Sequence, residues 1–311
     1  MKRLELTGTP FLRQLDDYLL DSMAVRNAGE VKTQTCGFGV VETLLVSGHL
    51  PDPVPIGRTD WIDENQWSFI VYAQSTAKAA YGGRCYPGPS AAIRKCGLYQ
   101  DLPFEGVNAA KSARRAALVP QLVRFGFFEL TDPPPGHRED VEWKQLMLVP
   151  SWPPDCEQPR ITGVPKSLAN LKTHERTWFR MPERIFNDYV WKSIGTQVGR
   201  RVIAALYAFF DDVTYAAVNP NHLSIRGTEL QASEEFMRAC GQTASIRDVM
   251  LAMQWLWSKS QLFALSSEWA EGRPHPAGRE YITWSRAVAR SVPSDTIVFV
   301  PRYVPKPEDS V

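Results

Sequence analysis

The chain has 311 residues, 44% of them hydrophobic and 22% charged, with a net charge of +1. That length accommodates about two domains with cores of their own, and the composition is globular, neither collagen-like nor disordered. A near-neutral total excludes a chain-wide pull toward polyanions, so any such attraction must come from a local patch.

The five cysteines, Cys36, Cys85, Cys96, Cys156 and Cys240, never form a Cys-x-x-Cys pair. A structural zinc site needs two close pairs, so none is expected, and an odd, scattered set fits a reducing cytoplasm. Residues 1–10 lack the apolar core of a signal peptide. No window reaches the ~18 apolar residues of a membrane span. A cytoplasmic protein with no membrane partner is expected.

Residues 10–24 read as a helix, because Leu12, Leu15, Leu19 and Met23 recur every three or four positions. Asp16 and Asp17 diverge from that side and read as a solvated face. Residues 37–47 read as a strand, and 50–58 as a proline-marked connector. Residues 63–80 predict a helix capped by Asp63, with Trp67, Ile70, Val71, Ala73 and Ala77 inward. Residues 89–96 predict a short helix, which Gly97 ends by taking a left-handed backbone.

The stretch 108–149 carries most of the functional signal. Residues 108–125 read as a helix with Ala109, Ala113, Ala116, Ala117, Leu122 and Val123 on one side. Lys111, Arg114, Gln121 and Arg124 share the other. Pro120 predicts a kink or break there, since an internal proline costs ~3 kcal/mol. Strands are expected at 127–130 and 141–149 around a polar tip at 131–140.

Residues 150–165 hold five prolines and read as an interdomain linker; 166–180 read either as a basic arm or as a solvated connector. The pattern then recurs. A helix is expected at 198–210, a strand at 223–225, and a helix at 227–240 closed by Gly241. A second helix follows at 244–259, capped by Thr243. A strand at 261–267, a polar tip at 271–279 and a strand at 280–287 complete the copy. A short strand at 296–300 precedes a loose tail from 305. The expected domains are an N-terminal segment 1–59, units at 60–150 and 195–290, a linker 151–194 and a tail 291–311.

Positive charge is concentrated where the first unit lies. From Arg84 to Arg124 there are seven Lys or Arg against two acids, an excess of +5 in a chain whose total is +1. Phosphates attract such a patch without reading sequence, and arginines on the first turns of a groove-inserted helix reach guanine edges. The alternative is a merely solvated helix face. In the second unit Arg247, Gln254, Ser258 and Lys259 are expected outward, with Asp248 and Leu251 among them, so that face suits DNA or a protein equally.

No Gly-x-x-x-x-Gly-Lys-Ser/Thr, His-Glu-x-x-His or Gly-x-Ser-x-Gly occurs. The five histidines lie far apart. Asp211 and Asp212 read as a helix end, and Trp67, Trp255 and Trp257 as core residues in place of base-stacking platforms. No enzyme activity, catalytic residue, metal or cofactor is expected. The remaining alternative is a site assembled from distant residues.

The run from Lys111 to Leu130 (KSARRAALVPQLVRFGFFEL) resembles the recognition helix and first wing strand of winged helix-turn-helix proteins. Its basic start, Leu118 and Leu122, then Gly126 and Phe127 carry the likeness, and Pro120 departs from it. With two such units, the chain resembles the replication initiators of plasmids and mobile elements. The resemblance implies an α+β fold of two winged-helix domains joined by a Pro-rich linker. The partner it implies is double-stranded DNA, together with a second copy or replication and assembly proteins. The DNA-binding residues it implies are Lys111, Ser112, Arg114, Arg115, Gln121, Arg124 and Arg138. Arg94, Lys95, Arg247, Arg273 and Arg279 complete the set. A transcriptional repressor and a protein-interaction subunit of a nucleoprotein assembly are the alternative roles.

Overall fold

The computed structural model describes residues 1–24, 34–42, 46, 63–76, 84–85, 94–98, 117–122, 128–130, 146–148, 178–210, 221–241, 243–266, 293 and 295–305. Their elements run β1 (Lys2–Glu5), α1 (Pro10–Ala24), β2 (Gln34–Cys36), β3 (Phe38–Glu42), α2 (Glu64–Thr76) and β4 (Arg84–Cys85). Then come β5 (Phe128–Leu130), β6 (Leu146–Leu148), β7 (Trp178–Pro182), α3 (Arg184–Asn187), α4 (Val190–Ser193) and α5 (Gln197–Ala208). The last are β8 (Leu223–Arg226), β9 (Glu229–Ala232), α6 (Glu234–Ala239), α7 (Ile246–Ser258), β10 (Leu262–Ser266), β11 (Thr296–Pro301) and β12 (Tyr303–Pro305). Helical backbone also occurs at 94–96 and 117–122. The fold is α+β, with antiparallel sheets apart from the parallel pair of β12 with β2.

The largest sheet has the order β1-β9-β8-β11-β10. Paired residues share a face of a sheet. Leu223 opposite Ala232, Ile225 opposite both Leu230 and Ile297, and Ala264 opposite Phe299 therefore make one apolar face. All seven are buried. Helices α5 and α7 pack on each other, and α7 also packs on β10. A smaller sheet has the order β4-β6-β5, with Phe128 opposite Leu148 and Arg84 opposite Met147. In the smaller sheet, and among β8, β11 and β10 of the larger one, the first of three strands pairs with the last, and the last with the middle one.

Helix α2 is buried along its whole circumference from Gln66 to Ser75, the polar Gln66, Ser68, Gln74 and Ser75 included. Its start is fixed by a reciprocal pair. Gln66 N donates to Asp63 Oδ1 at 2.8 Å, and Asp63 N donates to Gln66 Oε1 at 2.8 Å, which satisfies amides that a helix start leaves orphaned. The predicted Asp63 cap is therefore present. So are α1, with Leu15 buried and Asp16 and Asp17 exposed, and the left-handed Gly97 at φ 65°.

Several expectations are corrected. Residues 227–240 are not one helix. Gly227, at φ 55°, and Thr228 form the turn of the β8–β9 hairpin, and helix begins only at Glu234, capped by Ser233 Oγ accepting from Phe236 N at 3.1 Å. A two-residue turn that starts with a left-handed glycine closes a hairpin and does not continue a helix. The cap of α7 is Ser245 and not Thr243. The described partner of β10 is β11 and not 280–287; the segment 271–287 lies outside the described residues.

The domain limits shift as well. Residues 178–194 do not belong to a linker: β7 pairs with β3, and Ile185, Phe186, Val190 and Trp191 are buried. The N-terminal segment is not separate, because β1 pairs with β9, Lys2 opposite Ala232. Nor is 291–311 simply a tail, since β11 and β12 carry the buried Val298, Phe299, Val300, Tyr303 and Val304. The helix at 117–122 runs through Pro120 without a break among the described residues. Also among these, no helix is long and apolar enough to cross a membrane.

Gly39 in β3 lies against the end of α2, and a Cβ built there would sit 2.0 Å from the Ser75 carbonyl oxygen. Backbone cannot yield as a flexible side chain does. Gly39→Ala is expected to cost about 3 kcal/mol or more, read as a lower urea midpoint. An unchanged midpoint would show that β3 and α2 are not in contact.

Candidate nucleic-acid interface

Helix α7 is the best-defined outward helix. Its Ser245 cap is reciprocal. Asp248 N donates to Ser245 Oγ at 3.2 Å, while Ser245 N and Oγ donate to the Asp248 carboxylate at 2.8 and 2.6 Å. Val249, Met250, Ala252, Met253 and Leu256 form the buried side. Trp257, half-buried on one flank, meets Phe11 and Tyr18 of α1 edge-on at 5.7 and 5.5 Å. Helix α1 thus braces α7 and leaves its far side open.

That far side carries Arg247, Leu251, Gln254 and Ser258, spaced four, three and four residues apart, which places them on one stripe. Arg247 and Ser258 are exposed, Gln254 is half-buried, and Lys259 follows, exposed, at the C-cap. Leu251 is 49% exposed at the centre of the stripe. The expected outward set is therefore present, with its apolar residue in the middle.

The charge at the start of α7 nearly cancels. Hydrogen bonds from Ser245 hold the Asp248 carboxyl below its usual range, with the neighbouring Arg247 adding to the effect. The ionised carboxylate also suits the positive end of the helix dipole. Arg247 thus projects beside a fixed negative charge. The stripe offers a guanidinium, an amide and a hydroxyl around an apolar centre, with little net field.

In the first unit, the helical residues 117–122 lead toward β5. Leu118, Val119 and Leu122 are buried, while Pro120 and Gln121 are exposed. Gln121 is not a free reader, because its Oε1 accepts from Gln66 Nε2 at 2.8 Å. Lys95 is committed too, donating to Asn187 Oδ1. Arg94 is exposed. Lys111, Ser112, Arg114, Arg115, Arg124, Arg138, Arg273 and Arg279 lie outside the described residues, as do Asp211 and Asp212.

Sequence reasoning missed a polar cluster around Glu64. Its Oε2 accepts from Gln197 Nε2 at 2.7 Å and from Arg201 at 3.2 Å. Burial pushes the carboxyl above its usual value, against the pull of Arg201 and Gln197. The available signal was Arg200-Arg201 inside an otherwise apolar helix. Arg200 is buried, and its Nε donates to the Trp191 carbonyl at 3.3 Å.

Burial also raises the Cys36 thiol to about 11, and it pushes the Cys96 and Cys240 thiols up as well. These three are packed thiols of low reactivity. Among the described residues no group of three His, Cys, Asp or Glu could hold a metal ion. Comparisons with protein-family models, curated proteins and solved structures return no match.

The cap of α7 can be tested directly. Ser245→Ala is expected to lower stability by about 1 kcal/mol in urea denaturation at neutral pH. Asp248 titrates lower in the fold than its ordinary 3.8. Its contribution is therefore complete above that value and lost as pH falls through the folded one. The stability gap between the wild type and Asp248→Ala should close on acidification past 3.8. A gap that stays constant with pH would contradict the role given to Asp248.

Proposed function

We propose that the chain is a tandem winged-helix protein that binds double-stranded DNA, in replication initiation or maintenance of a mobile element. The observation that carries this reading is the repeated strand order. The ladders β4-β6-β5 and β8-β11-β10 both run first, last, middle. In both units a helix leads (α2 or α5), and helical backbone (117–122 or α7) comes directly before the middle strand. In such a unit the second helix of a helix-turn-helix enters the major groove, and the hairpin after it reaches the backbone beside it.

The charge pattern gives the two units different roles. Lys111, Ser112, Arg114 and Arg115 on the first unit meet or flank a major groove, and Arg94, Arg124 and Arg138 hold phosphates. Arg247, Arg273 and Arg279 extend the footprint from the second unit. A repressor would use the same contacts, so role and binding are separate questions.

The exposed Leu251 supports a second reading for α7 alone. An apolar residue centred on a weakly charged face suits a protein partner better than phosphates. In that case the first unit holds DNA, and the second docks another copy or an assembly protein.

The direct test is a gel-shift titration on random-sequence duplex at several salt concentrations. About five neutralised phosphates give a log–log slope near −4 to −5. Arg114→Ala with Arg115→Ala should make the slope shallower by about 2 and weaken binding on every sequence. No duplex binding at low salt would overturn the reading. Unchanged binding by the double variant would remove the first unit's helix from the interface.

A further inference from the structure

Helix α2 meets α3, α4 and α5 along one seam. Trp67 of α2 stacks on Trp191 of α4, with ring centroids 5.4 Å apart and planes 24° apart. Trp191 Nε1 donates to Ser68 Oγ at 2.6 Å, and Phe186 meets Tyr72 edge-on at 5.1 Å. The Arg201 guanidinium lies over the Trp67 ring at 4.6 Å. A cation over tryptophan is the strongest pairing of that kind.

Polar contacts close the same seam at its end. Glu64 is the first residue of α2; Gln197 and Arg201, four residues apart, lie in the first turns of α5. Glu64 Oε2 takes both, at 2.7 and 3.2 Å. Glu64 Oε1 is buried with no hydrogen-bond partner, so the carboxylate accepts a cost in order to hold that position. The pair is largely shielded, at 22% and 19% side-chain exposure, so water and salt screen it less than a surface pair.

Arg201 has a further neighbour. A Cβ added at Gly241 would come 3.2 Å from its Cδ. Gly241 lies in the turn between α6 and α7. One side chain therefore touches the leading helix of the first unit and the turn that aims the outward helix of the second.

We propose that Glu64, Arg201 and Trp67 are positioning residues that clamp the two units at one separation, so that the protein accepts two DNA segments only at a fixed spacing. The proposal rests on the DNA-binding reading above. A clamp between leading helices leaves the outward stripe of α7 open and removes the freedom of a flexible tether. Rigid placement turns two weak sites into one site of defined length, because the second contact is made at high effective concentration only where the geometry matches.

The test has a DNA-free arm and a DNA arm, both on the full chain. Spin labels at Pro120 and Arg238, exposed positions on the two units, report the distance between them by pulsed electron resonance. The wild type should give one narrow distribution, and Glu64→Gln with Arg201→Gln a broad one. Glu64→Gln alone is isosteric, should still accept from Gln197, and should broaden it partly; it serves if the double variant fails to fold. Selection from a pool of random 40-base-pair duplexes forms the second arm. The wild type should enrich two sequence blocks at one spacing, and the variant the same blocks at several, with discrimination between spacings reduced roughly ten-fold. A narrow distribution in both variants would overturn the clamp and leave DNA binding untouched. A variant that keeps the single spacing would overturn it too. Failure of the wild type to enrich any duplex would overturn the DNA reading and the spacing claim with it, while the distance arm still decides whether the clamp exists.

Discussion

Trp67 is the residue on which most of the structure turns. It is 1% exposed, stacked on Trp191 and covered by the Arg201 guanidinium. Burying an aromatic side chain of this size is worth several kcal/mol relative to leaving it in water. Because its partners come from α4 and α5, that energy is available only when the two halves are assembled. The buried residues accordingly form one continuous core across both. A boundary drawn at the proline-rich stretch would cut through it.

Strand pairing applies a second constraint. In the β4-β6-β5 sheet, and in the β8-β11-β10 part of the five-stranded sheet, the last strand lies between the other two, so neither is complete until its last strand arrives. The larger sheet is also closed by β1, whose partner β9 comes late in the chain. Such non-local pairing carries a loop-closure cost before it returns any stabilisation. The N-terminal strand thus becomes an edge of the second unit, and α1 behind it braces α7 through Trp257. The support of the outward helix is built from opposite ends of the chain.

Local signals were legible in the sequence where one element decided them alone. The three- and four-residue spacing gave α1, α5 and α7, Asp63 gave the start of α2, and Gly97 gave a helix end. The outward residues of α7 followed from the same period, including Leu251. What stayed hidden depended on partners far along the chain. Nothing in Lys2–Glu5 names Glu229–Ala232 as its neighbour, and 178–194 looks like a connector until Trp191 meets Trp67. The turn at Gly227-Thr228 is set by the pairing of Arg226 with Glu229, which no local spacing reveals. Lys95 and Gln121 looked like free contacts, yet Asn187 and Gln66 occupy them. The buried Glu64–Arg201 pair could not be inferred, since charge in a sequence carries no depth.

The central proposal is that two units of similar strand order bind one duplex together. Hydrogen exchange by mass spectrometry, on the full chain with and without random duplex at low salt, tests it most directly. Slowed exchange on binding is predicted in both 111–122 and 246–258, with no change in the already buried α2. Protection of neither segment, or protection confined to segments outside both units, would contradict the account.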